Sequence, residues 1–203
     1  VLEWIKKQYP DSPVTQIGFS LGGNVTLKMA GEDGSRPAGN LDSIVAVSSP
    51  FDLRRAADLF QKPENKILQS AFLKPLKADL DVMRELYPDA PHLDVRNIGS
   101  MREFNERHTA PLHGYANVDD YYRECSSMHF IPGIKIPTLI LSSKDDPIAD
   151  PNMLSGVYHS DNVDILLTDK GGHCGFLGFG TEYQEVRWSD QAVARWLEDT
   201  LAI

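Results

Sequence analysis

The 203-residue sequence has only two cysteines, Cys125 and Cys174. Two are too few to staple a fold with disulfides, which points to a reducing compartment and a cytoplasmic location. A Cys125–Cys174 bridge is the minority alternative. Long hydrophobic runs are also missing: no apolar stretch approaches the roughly 18 residues needed to cross a bilayer, so no membrane span is expected. Nor does a basic segment followed by an apolar one open the chain, as a secretory leader would. Lysine and arginine never cluster, and 20 basic residues stand against 29 acidic ones, a net charge of −9. A nucleic-acid partner needs a basic footprint, so that class of function is excluded. What remains, 41% hydrophobic and 24% charged residues, is the composition of an ordinary soluble globular protein.

Within that composition, short β-rich runs alternate with helical patterns. Val1, Leu2, Ile5 and Tyr9 recur at helical spacing up to Pro10. Val14–Phe19 reads as a strand, Leu21–Ala30 as a buried helix stopped at Gly31, and Gly31–Asn40 as a loop. Ile44–Val47, Thr138–Leu141 and Val163–Leu167 read as strands covered on both faces. Ala192, Val193, Trp196 and Leu197 mark a last helical face, with Ser189 or Asp190 as its N-cap. Strands alternating with helices imply an α/β fold with a mostly parallel sheet wrapped by helices. From about 50 to 132 the character changes. Charges, prolines and apolar residues at helical spacing (Leu59, Phe60, Ile67, Leu68, Phe72, Leu73) describe a helical, cap-like insertion into a domain spanning 1–203.

Gly18-Phe19-Ser20-Leu21-Gly22 matches G-x-S-x-G, the nucleophile elbow. A sharp strand-to-helix turn lifts the serine hydroxyl clear of the sheet at the positive end of the next helix. The two glycines are expected to avoid Cβ collisions there. The Leu21 N–H then faces an oxygen that becomes negative during attack. An incidental serine in a Gly-rich turn is the bland reading, but the flanking strand and helix supply the context the motif demands. A serine nucleophile needs a base, and the base an orienting carboxylate, in the order nucleophile, acid, histidine. Asp145-Asp146 follow the strand Thr138–Leu141, and His173 follows Val163–Leu167 between Gly172 and Cys174. All three positions fall at the C-terminal ends of strands, where open α/β sheets place their sites.

The other polar groups have plainer readings. His113-Gly114 looks like a His-Gly oxyanion pair, but it lies downstream of the elbow and is expected to be structural. His92, His108, His129 and His159 are expected on the surface or in packing. Asp145, Asp146 and Asp150 lack the spacing of a calcium loop, and His173-Cys174 lacks a CxxC partner, so no metal is expected. Asn24-Val25-Thr26 is a formal glycosylation sequon in a helix that should be buried.

Together these segments resemble the YheT-like (EMB8-like) α/β hydrolases, related to the mammalian ABHD1 and ABHD3 proteins. The resemblance is carried by Gly18–Asn24, Thr109–Tyr115, Asp120–Arg123, Pro137–Ile140, Asp145-Asp146-Pro147 and Gly171-Gly172-His173, in the family's order. It implies an α/β-hydrolase fold with Ser20 as nucleophile, Asp146 as triad acid and His173 as general base. It also implies hydrolysis of carboxylic esters of lipids or short acyl chains, with no cofactor and a small acyl ester as the partner. An acyltransferase using the same triad is one alternative. A catalytically silent binding module on the same fold is another. Family members carry strands and an oxyanion loop before the elbow, which here begins near residue 20. The chain is therefore expected to be the C-terminal part of a longer protein, with Val14–Phe19 an interior strand.

Overall fold

A computed structural model describes residues 1–89, 97–178 and 187–201. The chain divides into two compact units, Val1–Asp52 with Ser126–Ile203, and Leu53–Cys125. The second falls inside the 50–132 stretch that reads as an insertion.

The first unit is built on a parallel sheet in the order β1-β2-β3-β4: β1 Val14–Phe19, β2 Leu41–Val47, β3 Thr138–Ser143 and β4 Val163–Thr168. α1 (Leu2–Gln8) precedes β1 and α2 (Leu21–Asp33) links it to β2. β2 and β3 are buried along almost their whole length, as strands packed on both faces must be. Side chains alternate between the faces. On one face Val45, Val47, Leu139 and Leu141 pack with Phe176 and Val193, joined by Trp188, Trp196 and Leu197 of the C-terminal helix. The intervening Ile44, Ala46 and Ile140 are fully buried on the other. Each large apolar side chain contributes about 1.5–3 kcal/mol through burial.

The elements depart from the sequence reading at several places: β2 starts at Leu41 rather than Ile44, and β3 and β4 run on to Ser143 and Thr168. β4, expected to be covered on both faces, is buried only at Val163, because it is the last strand in the sheet order among the described residues. α2 does not stop at Gly31 but runs to Asp33, ending at Gly34 with φ 56°. A Cβ at Gly31 would lie 2.1 Å from the Phe130 carbonyl oxygen. Gly31 is thus a point of close backbone approach inside the helix, and Gly34 supplies the left-handed ending. The last helix begins at Trp188, which puts Ser189 and Asp190 inside its first turn rather than at the cap.

The second unit is helical. It contains α3 (Leu53–Phe60), α4 (Lys66–Leu86), α5 (Met101–Phe104), α6 (Ala110–Leu112) and α7 (Val118–Cys125). The C-terminal helix Trp188–Leu201 of the first unit is α8. Leu53, Ala57, Val118 and Tyr122 form one core cluster of the second unit, and Leu73, Ile98 and Phe104 another. Phe60 meets Phe72 edge-on, with ring centroids 5.3 Å apart. Ile67, expected on the apolar face, is instead 86% exposed. Among the described residues no helix is long and apolar enough to cross a membrane.

β1 lies at the end of the sheet order, and among the described residues no strand pairs with its outer edge. Ile17 and Phe19 are exposed along it. They line an apolar groove of about 270 Å³ with Val47, Val193, Ala194 and Leu197. An open apolar edge templates pairing with other chains. Produced alone, this 203-residue chain is expected to self-associate at micromolar concentration in sedimentation velocity, and Ile17→Lys should raise the monomer fraction. A monodisperse wild-type monomer would contradict this.

Candidate active site

The site begins where β1 turns into α2. A Cβ at Gly18 would stand 2.3 Å from the Gly22 carbonyl oxygen and 2.6 Å from Thr26 Oγ1. Only glycine lets the strand and helix approach so closely. Gly22 is different: a Cβ there meets nothing within 4 Å. The steric demand expected of both motif glycines therefore belongs to Gly18. The next constraint falls on Gly23, where a Cβ would come 3.1 Å from both the Gly18 carbonyl and Ser49 Cβ.

Ser20 stands at φ 51°, ψ −124°, the N-cap position of α2. A serine in this region carries about 1–3 kcal/mol of strain. Hydrogen bonds hold both sides of it. Its N–H donates to the Val47 carbonyl at 2.8 Å, and its carbonyl accepts from the Gly23 N–H at 2.9 Å. Serine at an N-cap usually turns its hydroxyl to the helix. Here Oγ makes no cap bond and lies 2.8 Å from His173 Nε2. Leu21 is the first residue of α2, so its N–H has no intrahelical acceptor and sits at the positive end of the helix beside Ser20.

His173 Nδ1 lies 3.0 Å from Asp146 Oδ2 and 3.2 Å from Oδ1. The Asp146 side chain is fully buried and that of His173 13% exposed. Asp146 Oδ1 also accepts the Ile148 and Ala149 N–H groups at 3.0 and 2.9 Å, so the buried carboxylate is satisfied. Because a carboxylate only accepts, Nδ1 carries the proton in this arrangement, and Nε2 is left to accept from the Ser20 hydroxyl. Ser20, His173 and Asp146 thus form one continuous chain of hydrogen bonds, all within the first unit.

Asp145, one residue away, faces elsewhere. Its Oδ1 accepts the Gly172 N–H at 2.8 Å, and Lys170 Nζ lies 3.7 Å from its Oδ2. The Gly172 N–H, with help from Lys170, holds the Asp145 carboxyl below its ordinary range. The contact is therefore present at neutral pH and weakens only as pH falls through that lowered value. Ser143 Oγ donates to the Gly172 carbonyl at 2.8 Å. On the far side of His173, the Cys174 N–H donates to Ser48 Oγ at 3.2 Å. Neither Cys174 nor Cys125 is in a disulfide. Partial desolvation and the nearby Asp146 charge raise the Cys174 thiol above its ordinary value, opposed by hydrogen bonds to the Ser48 hydroxyl and the Ser20 backbone. Sequence reading misses Ser48 and Ser143. The available signal is their place at the C-terminal ends of β2 and β3.

The remaining candidates are not part of this hydrogen-bonded chain. His113 closes α6 in the second unit and is exposed. His108 stacks edge-on against Phe104, and burial lowers its pKa. His129 and His159 are exposed, and His92 lies outside the described residues. Asp150 caps the short turn Pro151–Leu154 by accepting the Asn152 N–H. Asn24 is buried, with Oδ1 accepting the Ser127 N–H at 2.8 Å, so the sequon side chain is engaged inside the fold.

Residues 1–178 match the family described as alpha/beta hydrolase fold. The chain belongs to that family. It is 33% identical over 200 residues to the YheT protein of Escherichia coli K12, covering 97% of this chain and 58% of that protein. The monoacylglycerol lipase of Saccharomyces cerevisiae is 28% identical over 203 residues, with 96% of this chain and 44% of the lipase covered. Among solved structures, the Pyrococcus furiosus esterase Pf2001 matches with a TM-score of 0.52 at 16% identity, covering 98% of this chain and 58% of that one. At that identity the likeness concerns the fold alone. The chain spans about half the length of the curated relatives it matches.

The glycine geometry makes a direct prediction for this α/β hydrolase. Gly18→Ala should destabilise by about 1–3 kcal/mol or more, through overpacking against backbone. Gly22→Ala should be neutral or gain roughly 0.5–1 kcal/mol, as alanine favours helix. Denaturant unfolding of the two variants checks both, and equal destabilisation would refute the assignment.

Proposed function

We propose that the protein hydrolyses carboxylic esters through an acyl-enzyme on Ser20, with His173 as general base and Asp146 as its orienting acid. The observation that carries this reading is the unbroken hydrogen-bonded chain from Ser20 Oγ through both imidazole nitrogens to the buried Asp146 carboxylate. As Ser20 Oγ attacks the ester carbonyl, His173 Nε2 takes its proton. The imidazolium so formed is stabilised by Asp146, which also keeps the ring in the tautomer that leaves Nε2 free to act. The carbonyl oxygen becomes an oxyanion facing the Leu21 N–H. A donor of this kind is worth about 3 kcal/mol in the transition state. His173 then protonates the leaving alcohol, and the same nitrogen activates water to release the acid. No step calls on a cofactor.

Lipid or short-chain acyl esters are the proposed substrates, supported by the similarity to a yeast monoacylglycerol lipase. An alcohol competing with water for the acyl-enzyme would yield a new ester, so adding alcohol and measuring the product ratio separates hydrolysis from acyl transfer.

In the natural protein, Ser20→Ala should abolish turnover of a p-nitrophenyl ester while leaving the melting temperature unchanged, since losing one hydroxyl leaves almost no cavity. A folded variant with wild-type turnover would eliminate Ser20 as nucleophile. The two aspartates should also separate in steady-state kinetics. Asp146→Asn is expected to lower kcat by about 10⁴, because the ring would settle in the wrong tautomer. Asp145→Asn should cost about tenfold or less, since an amide oxygen can still accept the Gly172 N–H. The reverse ranking would move the acid role to Asp145.

A further inference from the structure

Among the described residues only three non-glycine positions have positive φ: Ser20 at 51°, Ser48 at 49° and Cys174 at 64°. Such conformations persist only where the surroundings over-determine them, and they concentrate at functional sites. Ser20 belongs to the elbow. The other two face each other, with Ser48 Oγ accepting the Cys174 N–H at 3.2 Å. Ser48 is fully buried, and its own N–H donates to the Leu141 carbonyl at 2.8 Å, tying the end of β2 to β3.

The neighbour of Ser48 completes the pattern. Val47, the last residue of β2, holds Ser20 by accepting its N–H at 2.8 Å. Consecutive residues at one strand end therefore grip the serine on one side and the residue after His173 on the other. Between those two grips lies the 2.8 Å contact of Ser20 Oγ with His173 Nε2. On its other flank the His173 turn is held through Gly172 by Asp145 and Ser143.

We propose that Ser48 is a positioning residue for the reaction, its hydroxyl holding the Cys174 backbone so that His173 stays within reach of Ser20. The proposal rests on the Ser20–His173–Asp146 reading of the site. In this role Ser48 acts through the Cys174 backbone on His173 rather than on the substrate. A small misplacement of a catalytic base costs ten- to about a hundredfold in rate, so this range is expected for loss of the hydroxyl.

The test uses the natural protein with a p-nitrophenyl ester and four variants: Ser48→Ala, Ser48→Gly, His173→Ala and the double variant Ser48→Ala with His173→Ala. Glycine tolerates the backbone conformation at 48, so Ser48→Gly keeps the question open to measurement even if Ser48→Ala folds poorly. Both Ser48 variants are expected to lose about ten- to a hundredfold in kcat with KM unchanged. In the His173→Ala background, adding Ser48→Ala should cost nothing further, because the group it positions is gone. Wild-type kcat in a folded Ser48→Gly protein, or an equal loss with and without His173, would overturn the proposal. Full turnover by His173→Ala would instead sink the underlying triad reading, and the positioning role with it.

Discussion

Ser20 holds a backbone conformation that serine avoids, and the hydrogen bond from its N–H to the Val47 carbonyl is a condition for keeping it there. That bond extends the β1–β2 ladder one residue past the end of β1, so the serine is still tethered to the sheet as the chain swings into α2. Release it, and the helix would be expected to recapture the hydroxyl as an ordinary cap. The absence of a Cβ at Gly18 is the other condition, because the Gly22 carbonyl would be only 2.3 Å from such an atom. Backbone pairing and a missing methyl group together aim one oxygen at one imidazole.

The rest of the cluster repeats the principle. Parallel strands bring their C-terminal ends to one edge, and each end supplies one part of the site. β1 leads into Ser20, β2 into Ser48, β3 into Ser143, Asp145 and Asp146, and β4 into the turn bearing His173. The β2–β3 core fixes these ends relative to one another, since close-packed interiors transmit small displacements rather than absorbing them. Burial of the Asp146 side chain is tolerable because two backbone N–H groups and the imidazole satisfy it.

Much of this is legible in the sequence. The boundaries of β1 are those that its β-rich composition indicates, and the elbow motif by itself singles out Ser20. β2 is longer than its apolar run because Leu41–Ser43 pair with Val14 and Thr15 despite the exposed Asp42 between them. Gly31 reads falsely as a helix stop because local propensity cannot register the approach of the Phe130 carbonyl from a distant turn. Gly22 reads falsely as sterically necessary because a motif records which residues recur and not what surrounds each of them.

The adjacent aspartates draw the line most sharply. The order of the strands and the Gly-rich turn at 171–173 point to the region of the candidate acid and histidine, because hydrophobic patterning and turn chemistry are local properties of the chain. Residue patterns alone leave Asp145 and Asp146 equivalent; the family resemblance favours the second. The turn after β3 sends Asp146 inward to His173 and Asp145 across to Gly172, a difference made by backbone direction and by what lies opposite. Ser48 carries no signal beyond following a strand. Its partner Cys174 is 126 residues away. The sequence by itself determined the element types of the sheet, the elbow motif and the candidate residues of the site. Only tertiary structure decided which neighbours hold that site in place, because those contacts arise where strand ends far apart in sequence meet at one edge of the sheet.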